Sequence, residues 1–222
     1  MIFTSSKILP LGSELPDFWL PDVDGTIVAS DHLFRAPAVL VVFMCNHSPF
    51  VIHLREVLVK LVREFQQKGV RVVAINPNDI TLSPQDAPVL MKEESCRFGY
   101  TFPYLFDGTQ EVARAFRVAY MPDFFVFNRG GKLVYHGQMD ESRPGNGTPV
   151  TAASLREALE DVLRGKAPET AQKKSEGCAV QWREGRVPSY VSSPQGPCCE
   201  AVRSVSLAVQ SGSAENRPDL AA

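Results

Sequence analysis

Cys45, His47 and Ser48, followed at once by Pro49, are the residues of this chain whose types and spacing best suit chemistry. They stand where a continuous apolar run, Ala38 to Met44, gives way to a long amphipathic segment, so the local pattern is strand, turn, helix. Pro49 suits the first turn of a helix, where a missing N–H costs nothing, and Ser48 is placed to cap it. Cys45 therefore lies beside a helix N-terminus, whose unsatisfied N–H groups and positive dipole end favour thiolate over thiol. The chemistry expected is nucleophilic attack by sulfur near neutral pH, with a depressed thiol pKa. His47, if protonated, would stabilise that thiolate, and if neutral would relay a proton to a leaving thiol or alkoxide. Each has a plainer reading: Cys45 as a small buried hydrophobe closing a core strand, His47 as a solvated turn residue. Cys45 and His47 are two metal donors with no convincing further pair, short of a structural zinc site, so neither a metal nor a cofactor is expected.

The elements that must position this turn follow from hydrophobic periodicity. Phe18 to Asp22 and Thr26 to Ala29, around Asp24-Gly25, read as a short N-terminal hairpin. Ala38 to Met44 is a strand covered on both faces. After Pro49, a helix places Leu54, Leu58, Leu61, Val62 and Phe65 on one stripe and stops at Gly69. Val70 to Ile75 is a second buried strand, joined to the first by a right-handed crossover. Asp86 with Pro88 starts a helix ending at Gly99, with Cys96 on its apolar side beside Phe98. Thr109 caps a helix to Arg117, Phe124 to Phe127 and Lys132 to Tyr135 make an antiparallel hairpin, and Thr151 caps a last helix to Arg164. Parallel strands first and an antiparallel hairpin last give an α/β fold, a mixed β-sheet flanked by helices.

Composition bounds the function. With 222 residues and 44% hydrophobic content the chain can bury one sizeable core. A formal charge of −2 with dispersed basic residues recommends no nucleic-acid partner. No apolar run approaches the roughly 18 residues of a membrane span, and no signal-like leader opens the sequence, so a soluble, cytoplasmic protein is expected, with an organelle address left open. Five cysteines, an odd number, argue for catalytic or free thiols over a disulfide framework. From Glu169 the periodic apolar pattern yields to Ser, Gly, Pro, Gln and charge, so residues 8–168 are expected to form the domain and 169–222 a mostly disordered tail. Cys198 and Cys199 in that tail read as incidental thiols.

Phe43-Met-Cys45-Asn-His47-Ser48-Pro49 resembles the Phe-x-Cys-Asn-His-Cys-Pro signature of a peroxiredoxin-like branch of the thioredoxin superfamily, within the alkyl hydroperoxide reductase and thiol-specific antioxidant group. Gly12 to Asp22, Ala74-Ile-Asn76-Pro-Asn78-Asp79, Phe102-Pro-Tyr-Leu105, Met121-Pro122-Asp-Phe-Phe125 and Asp140-Glu-Ser-Arg143-Pro-Gly-Asn146-Gly147 continue the resemblance in order, and Gly177-Cys178-Ala-Val-Gln-Trp182 resembles a segment that family members carry after the last helix, with Trp182 the residue expected to anchor it to the domain. The resemblance implies a thioredoxin-like fold and a cis Met121–Pro122 bond whose loop presents backbone groups to a bound peptide or disulfide. It also exposes a departure: Ser48 stands where the family has its second cysteine. A serine cannot release a mixed disulfide, so Cys178, a tail thiol, glutathione or another protein must do so. Ser48 can still donate a hydrogen bond to the Cys45 thiolate. Cys178 is the best candidate resolver, its alternative role being to pack against Trp182. True peroxiredoxins carry a Thr three residues before the peroxide-reducing cysteine; here Val42 occupies that position, which argues against efficient peroxide reduction and leaves slow attack on peroxides.

Two functions follow. One is a thiol oxidoreductase with Cys45 as nucleophile, Met121 and Pro122 shaping the groove, and a disulfide-bearing protein or a small thiol such as glutathione as partner, with an external thiol reductant. The other is a redox-inactive module that keeps the fold and holds partners on the Cys45 and Pro122 face.

Overall fold

The computed structural model describes residues 9–34, 36–168 and 173–191. Strands β1 (Trp19–Pro21) and β2 (Ile27–Ala29) form the N-terminal hairpin. Strand β3 (Ala38–Phe43) leads into helix α1 (Pro49–Gln67), which returns to β4 (Arg71–Asn76); helix α2 (Pro88–Phe98) and strand β5 (Tyr104–Phe106) follow. A short helix α3 (Glu111–Ala115) precedes β6 (Tyr120–Met121), β7 (Asp123–Asn128) and β8 (Leu133–Gly137). Helix α4 (Ala153–Leu163) and strand β9 (Cys178–Ala179) complete the order. The central sheet runs β5-β4-β3-β7-β8, with β3, β4 and β5 parallel and β7 and β8 antiparallel to their neighbours. This is the expected mixed sheet flanked by helices.

Side-chain alternation along β3 divides the core in two. Leu40 and Val42 face the apolar stripe of α1, Leu54, Leu58, Leu61, Val62 and Phe65, together with Leu155 and Leu159 of α4. Val39, Val41 and Phe43 face the opposite side with Phe18, Phe116, Phe125 and Trp182, and the same alternation carries Cys45 into that second core. The sulfur thus emerges from the edge of a packed aromatic layer.

Several local expectations are corrected. Ser48 occupies the N-cap position of α1 with extended backbone, yet its hydroxyl makes no capping hydrogen bond; its carbonyl starts the helix by accepting Ile52 N–H at 2.9 Å. The N-terminus of α3 is held chiefly from Asp107, whose Oδ2 accepts Ala113 N–H at 2.8 Å, and Gln110 in left-handed conformation takes the cap position expected of Thr109. At α4, Asp140 Oδ2 accepts the N–H groups of Thr151 and Ala152 at 2.7 and 2.6 Å. The Thr109 and Thr151 hydroxyls also accept the first N–H of their helices, from Glu111 at 3.4 Å and Ala153 at 3.3 Å, so each carboxylate adds to a local hydroxyl. Cys96 is exposed, because α2 buries only Met91 and lies on the surface rather than in the core.

The segment around Cys178, expected within a tail, is docked on the domain. Strand β9 pairs antiparallel with β6, Met121 opposite Cys178, and Val180 N–H reaches Ala119 O at 3.0 Å. Gln181 O accepts Asp79 N–H at 2.9 Å, Arg183 N–H reaches Gln110 Oε1 at 3.0 Å, and Trp182 is fully buried. Residues 192–222, including Cys198 and Cys199 and the disorder expected there, lie outside the described residues.

Candidate functional site

The carboxyl ends of parallel strands are where α/β sheets collect their reactive groups, and three loops meet there. Cys45 follows β3, Asn78 follows β4, and Asp86 lies in the short turn before α2. Met121–Pro122 is cis, and Asp123, next in sequence, is the register partner of Phe43. The proline loop and the Cys45 turn therefore leave neighbouring strands side by side, which brings Cys45, His47, Ser48, Met121 and Pro122 to one end of the sheet.

Asp86 organises the turn from 40 residues away. Its carboxylate is fully buried; Oδ1 accepts the Asn46 backbone N–H at 2.8 Å and Oδ2 accepts Asn78 Nδ2–H at 2.7 Å. His47 Nδ1 lies 2.8 Å from the same Oδ2, ion-pair distance, at an angle outside hydrogen-bond geometry. Asn46 Nδ2 donates to Gln85 O at 2.9 Å, and its Oδ1 accepts the Tyr104 hydroxyl at 3.0 Å. Burial, with the Asp86 carboxylate and the Cys45 sulfur adding to it, holds the Tyr104 phenol well above its ordinary value, so it remains a donor. Cys45 Sγ, a His47 ring nitrogen and an Asp86 oxygen lie within 4.8 Å of one another. The sequence offered two donors at this turn; the fold supplies a third.

Ser48 is buried beside Cys45, and its Oγ has no hydrogen-bond partner among the described residues. Cys45 is 1% exposed and carries a thiol. Cys178 is half of a disulfide, and since Cys45 and Cys96 are both thiols, its partner is neither of them. Its strand covers the outer edge of the Met121–Pro122 loop, where a Cβ on Gly177 would stand 2.0 Å from Met121 O. On the other side of Pro122, Phe50, Phe124, Met139, Ser142 and Arg143 line a small crevice.

Sequence reasoning missed Asp86 as a site residue, taking it for a helix start, and gave no role to Asn46, Asn78 or Tyr104. The signal that could have found Asn78 is its place directly after a buried parallel strand. It is the residue that ties the C-terminal segment to the site: Oδ1 accepts Gln181 N–H at 2.9 Å while Nδ2 holds Asp86.

A mixed sheet flanked by helices, with a cysteine at a strand-to-helix turn and a cis-proline beside it, defines a thioredoxin-like protein. The chain belongs to the AhpC/TSA family, whose model matches residues 11–136. An uncharacterized conserved protein from Geobacillus kaustophilus is 45% identical with a TM-score of 0.79, the match covering 82% of this chain and 96% of that one. The thiol-disulfide oxidoreductase ResA of Geobacillus thermodenitrificans is 26% identical over 134 residues, 59% of this chain and 71% of the relative. A thiol:disulfide interchange protein of the thioredoxin family from Chlorobium tepidum TLS, 20% identical, shares the fold with a TM-score of 0.54 over 68% of this chain and 97% of that one. Among the described residues, no helix is long and apolar enough to cross a membrane.

Proposed function

We propose that this protein is a thiol–disulfide oxidoreductase working through the single nucleophile Cys45. The observation that carries the reading is the grouping of Cys45, His47 and Asp86 within 4.8 Å at the N-terminus of α1, beside Pro122. A nucleophile, a basic group and a carboxylate at ion-pair distance from that base make a cluster fit to stabilise a thiolate. The similarity to a protein named as a thiol-disulfide oxidoreductase supports it.

In the first step the Cys45 thiolate attacks one sulfur of a substrate disulfide. A mixed disulfide forms, the substrate S–S bond breaks, and the second substrate sulfur leaves as a thiolate that takes a proton from His47 or solvent. In the second step an external thiolate attacks the substrate sulfur of the mixed disulfide, giving a new disulfide and returning the electron pair to Cys45. Ser48 has no thiol for this step, and the Cys178 sulfur is already held in a disulfide, so a small thiol such as glutathione is the simpler resolver. Covered by β9, the loop edge at Met121 offers no backbone pairing to an extended peptide, which favours small disulfides or a single protruding disulfide of a protein.

The test compares exchange with a small disulfide by the wild-type protein and Cys45→Ser, with glutathione as reductant. Loss of turnover in the variant is expected; equal rates would overturn the reading. Ser48 in the second thiol position and the burial of Cys45 favour a second reading, a redox-inactive module that holds partners on this face, and equal rates would move the assignment to it.

A further inference from the structure

Cys45 and Asp86 place two groups that can carry negative charge within 4.8 Å in a buried setting. Two such charges out of water need a cation or a proton between them. Among the described residues His47 is the basic side chain at ion-pair distance from Asp86. Its half-buried ring completes a sulfur, nitrogen and oxygen donor set. The adjoining Ser48 hydroxyl, fully buried and without a hydrogen-bond partner among the described residues, marks polar capacity in the same turn that the protein does not itself use.

We infer that Cys45, His47 and Asp86 form a binding site for a borderline-soft divalent cation, of which Zn²⁺ is the best match. Thiolate, imidazole and carboxylate together suit zinc, with ligand bonds of about 2.0–2.3 Å. Donor atoms no more than 4.8 Å apart close onto such an ion with shifts of about an ångström or less, which the His47 and Cys45 side chains supply by small rotations. Asn78 Nδ2–H and the Asn46 N–H already fix the carboxylate, as outer groups do in metal sites. Three protein ligands leave the fourth position of a tetrahedron for water or a small thiol, the arrangement of reactive rather than structural zinc. Binding exchanges the thiol proton for the metal: the S–H bond breaks, the S–metal bond forms and the proton goes to solvent. No electron moves. Sulfur held this way no longer attacks disulfides, so the cation reversibly blocks the exchange proposed above without depending on it.

The experiment titrates the metal-free full chain with Co²⁺, whose bond to thiolate gives a near-ultraviolet charge-transfer band, and then displaces it with Zn²⁺. One equivalent with that band is expected. Cys45→Ser is expected to abolish the band, and His47→Ala and Asp86→Asn to weaken binding by about tenfold or more; Cys96→Ser, on the exposed face of α2, is expected to leave the titration unchanged. Zn²⁺ is expected to protect Cys45 from alkylation in the wild type. Absence of the band at saturating Co²⁺, its survival in Cys45→Ser, or alkylation unaffected by Zn²⁺ would each overturn the site. His47→Ala decides the donor set where Asp86→Asn disturbs the buried carboxylate network. None of these readouts needs turnover, so loss of the exchange reading leaves the metal result standing, and the reverse holds.

Discussion

Ser48 and His47 are the residues on which the chemistry turns, in opposite ways. The Ser48 hydroxyl makes no hydrogen bond among the described residues, so Ser48→Cys removes no interaction and is expected to change unfolding stability by less than about 1 kcal/mol. It restores a second thiol, and dithiol exchange is expected to rise about tenfold or more; a stable variant with no gain would show that the site cannot run a two-cysteine cycle. His47→Ala removes the imidazole from the Cys45 and Asp86 group. The rate of Cys45 alkylation at neutral pH is expected to fall about tenfold, as the positive charge that favours the thiolate is lost. An unchanged rate would return His47 to the solvated-turn reading. The nucleophile, the histidine and the missing second thiol could be read from seven consecutive residues. Asp86 could not, because nothing in its neighbourhood distinguishes a carboxylate that starts a helix from one that reaches back to a turn 40 residues earlier.

Elements read well where burial sets their pattern and poorly where capping does. The all-apolar β3 and the stripe of α1 appear where periodicity put them. Thr109 and Thr151 do accept the first N–H of their helices, but the sequence gives no sign that Asp107 and Asp140, outside the helices, accept further N–H groups at the same starts. Cys96 is exposed, against the core position expected for it, because the apolar residues of α2 do not share one face and only Met91 is buried. Strand β9 is too short for any period and depends on close approach at Gly177. Gly177→Ala drives a methyl group into Met121 O and is expected to cost about 2 kcal/mol in denaturant unfolding. A neutral result would mean that the β6–β9 pairing yields freely. Between α1 and α4, hydrogen bonds from Arg156 and Lys68 lower the Glu64 carboxyl from its ordinary 4.5 to about 2. A depressed carboxylate pKa stabilises above the unfolded value, and that contribution is lost as pH falls from 4.5 toward 2. The difference in Tm between wild type and Glu64→Gln is therefore expected to shrink over that window. Salt is expected to shrink it as well, since more than a third of the Glu64 side chain is exposed. A difference independent of pH would remove the charge as its cause.

At the scale of the molecule, the order of strands and helices was enough to give the sheet, because right-handed crossovers and a terminal hairpin leave few arrangements. What the order could not give is that the chain returns after α4 to close the second core with Val180 and Trp182 and to brace Asp86 through Asn78. The Ser, Gly and charge around that segment hide three buried side chains, Cys178, Val180 and Trp182. Trp182→Ala is expected to cost about 3–5 kcal/mol in unfolding, the loss of a core aromatic rather than of a tail residue. A cost near zero would make the segment an appendage. The most direct measurement of the central claim uses the two thiols that differ most in setting, buried Cys45 and exposed Cys96. The full chain is exposed briefly to limiting oxidised glutathione, and the adduct is located by peptide mass spectrometry. Exposure alone favours Cys96, so an adduct that forms first on Cys45 marks an activated thiolate, and that is the result expected. An adduct on Cys96 with Cys45 untouched would contradict the assignment of Cys45 as the nucleophile.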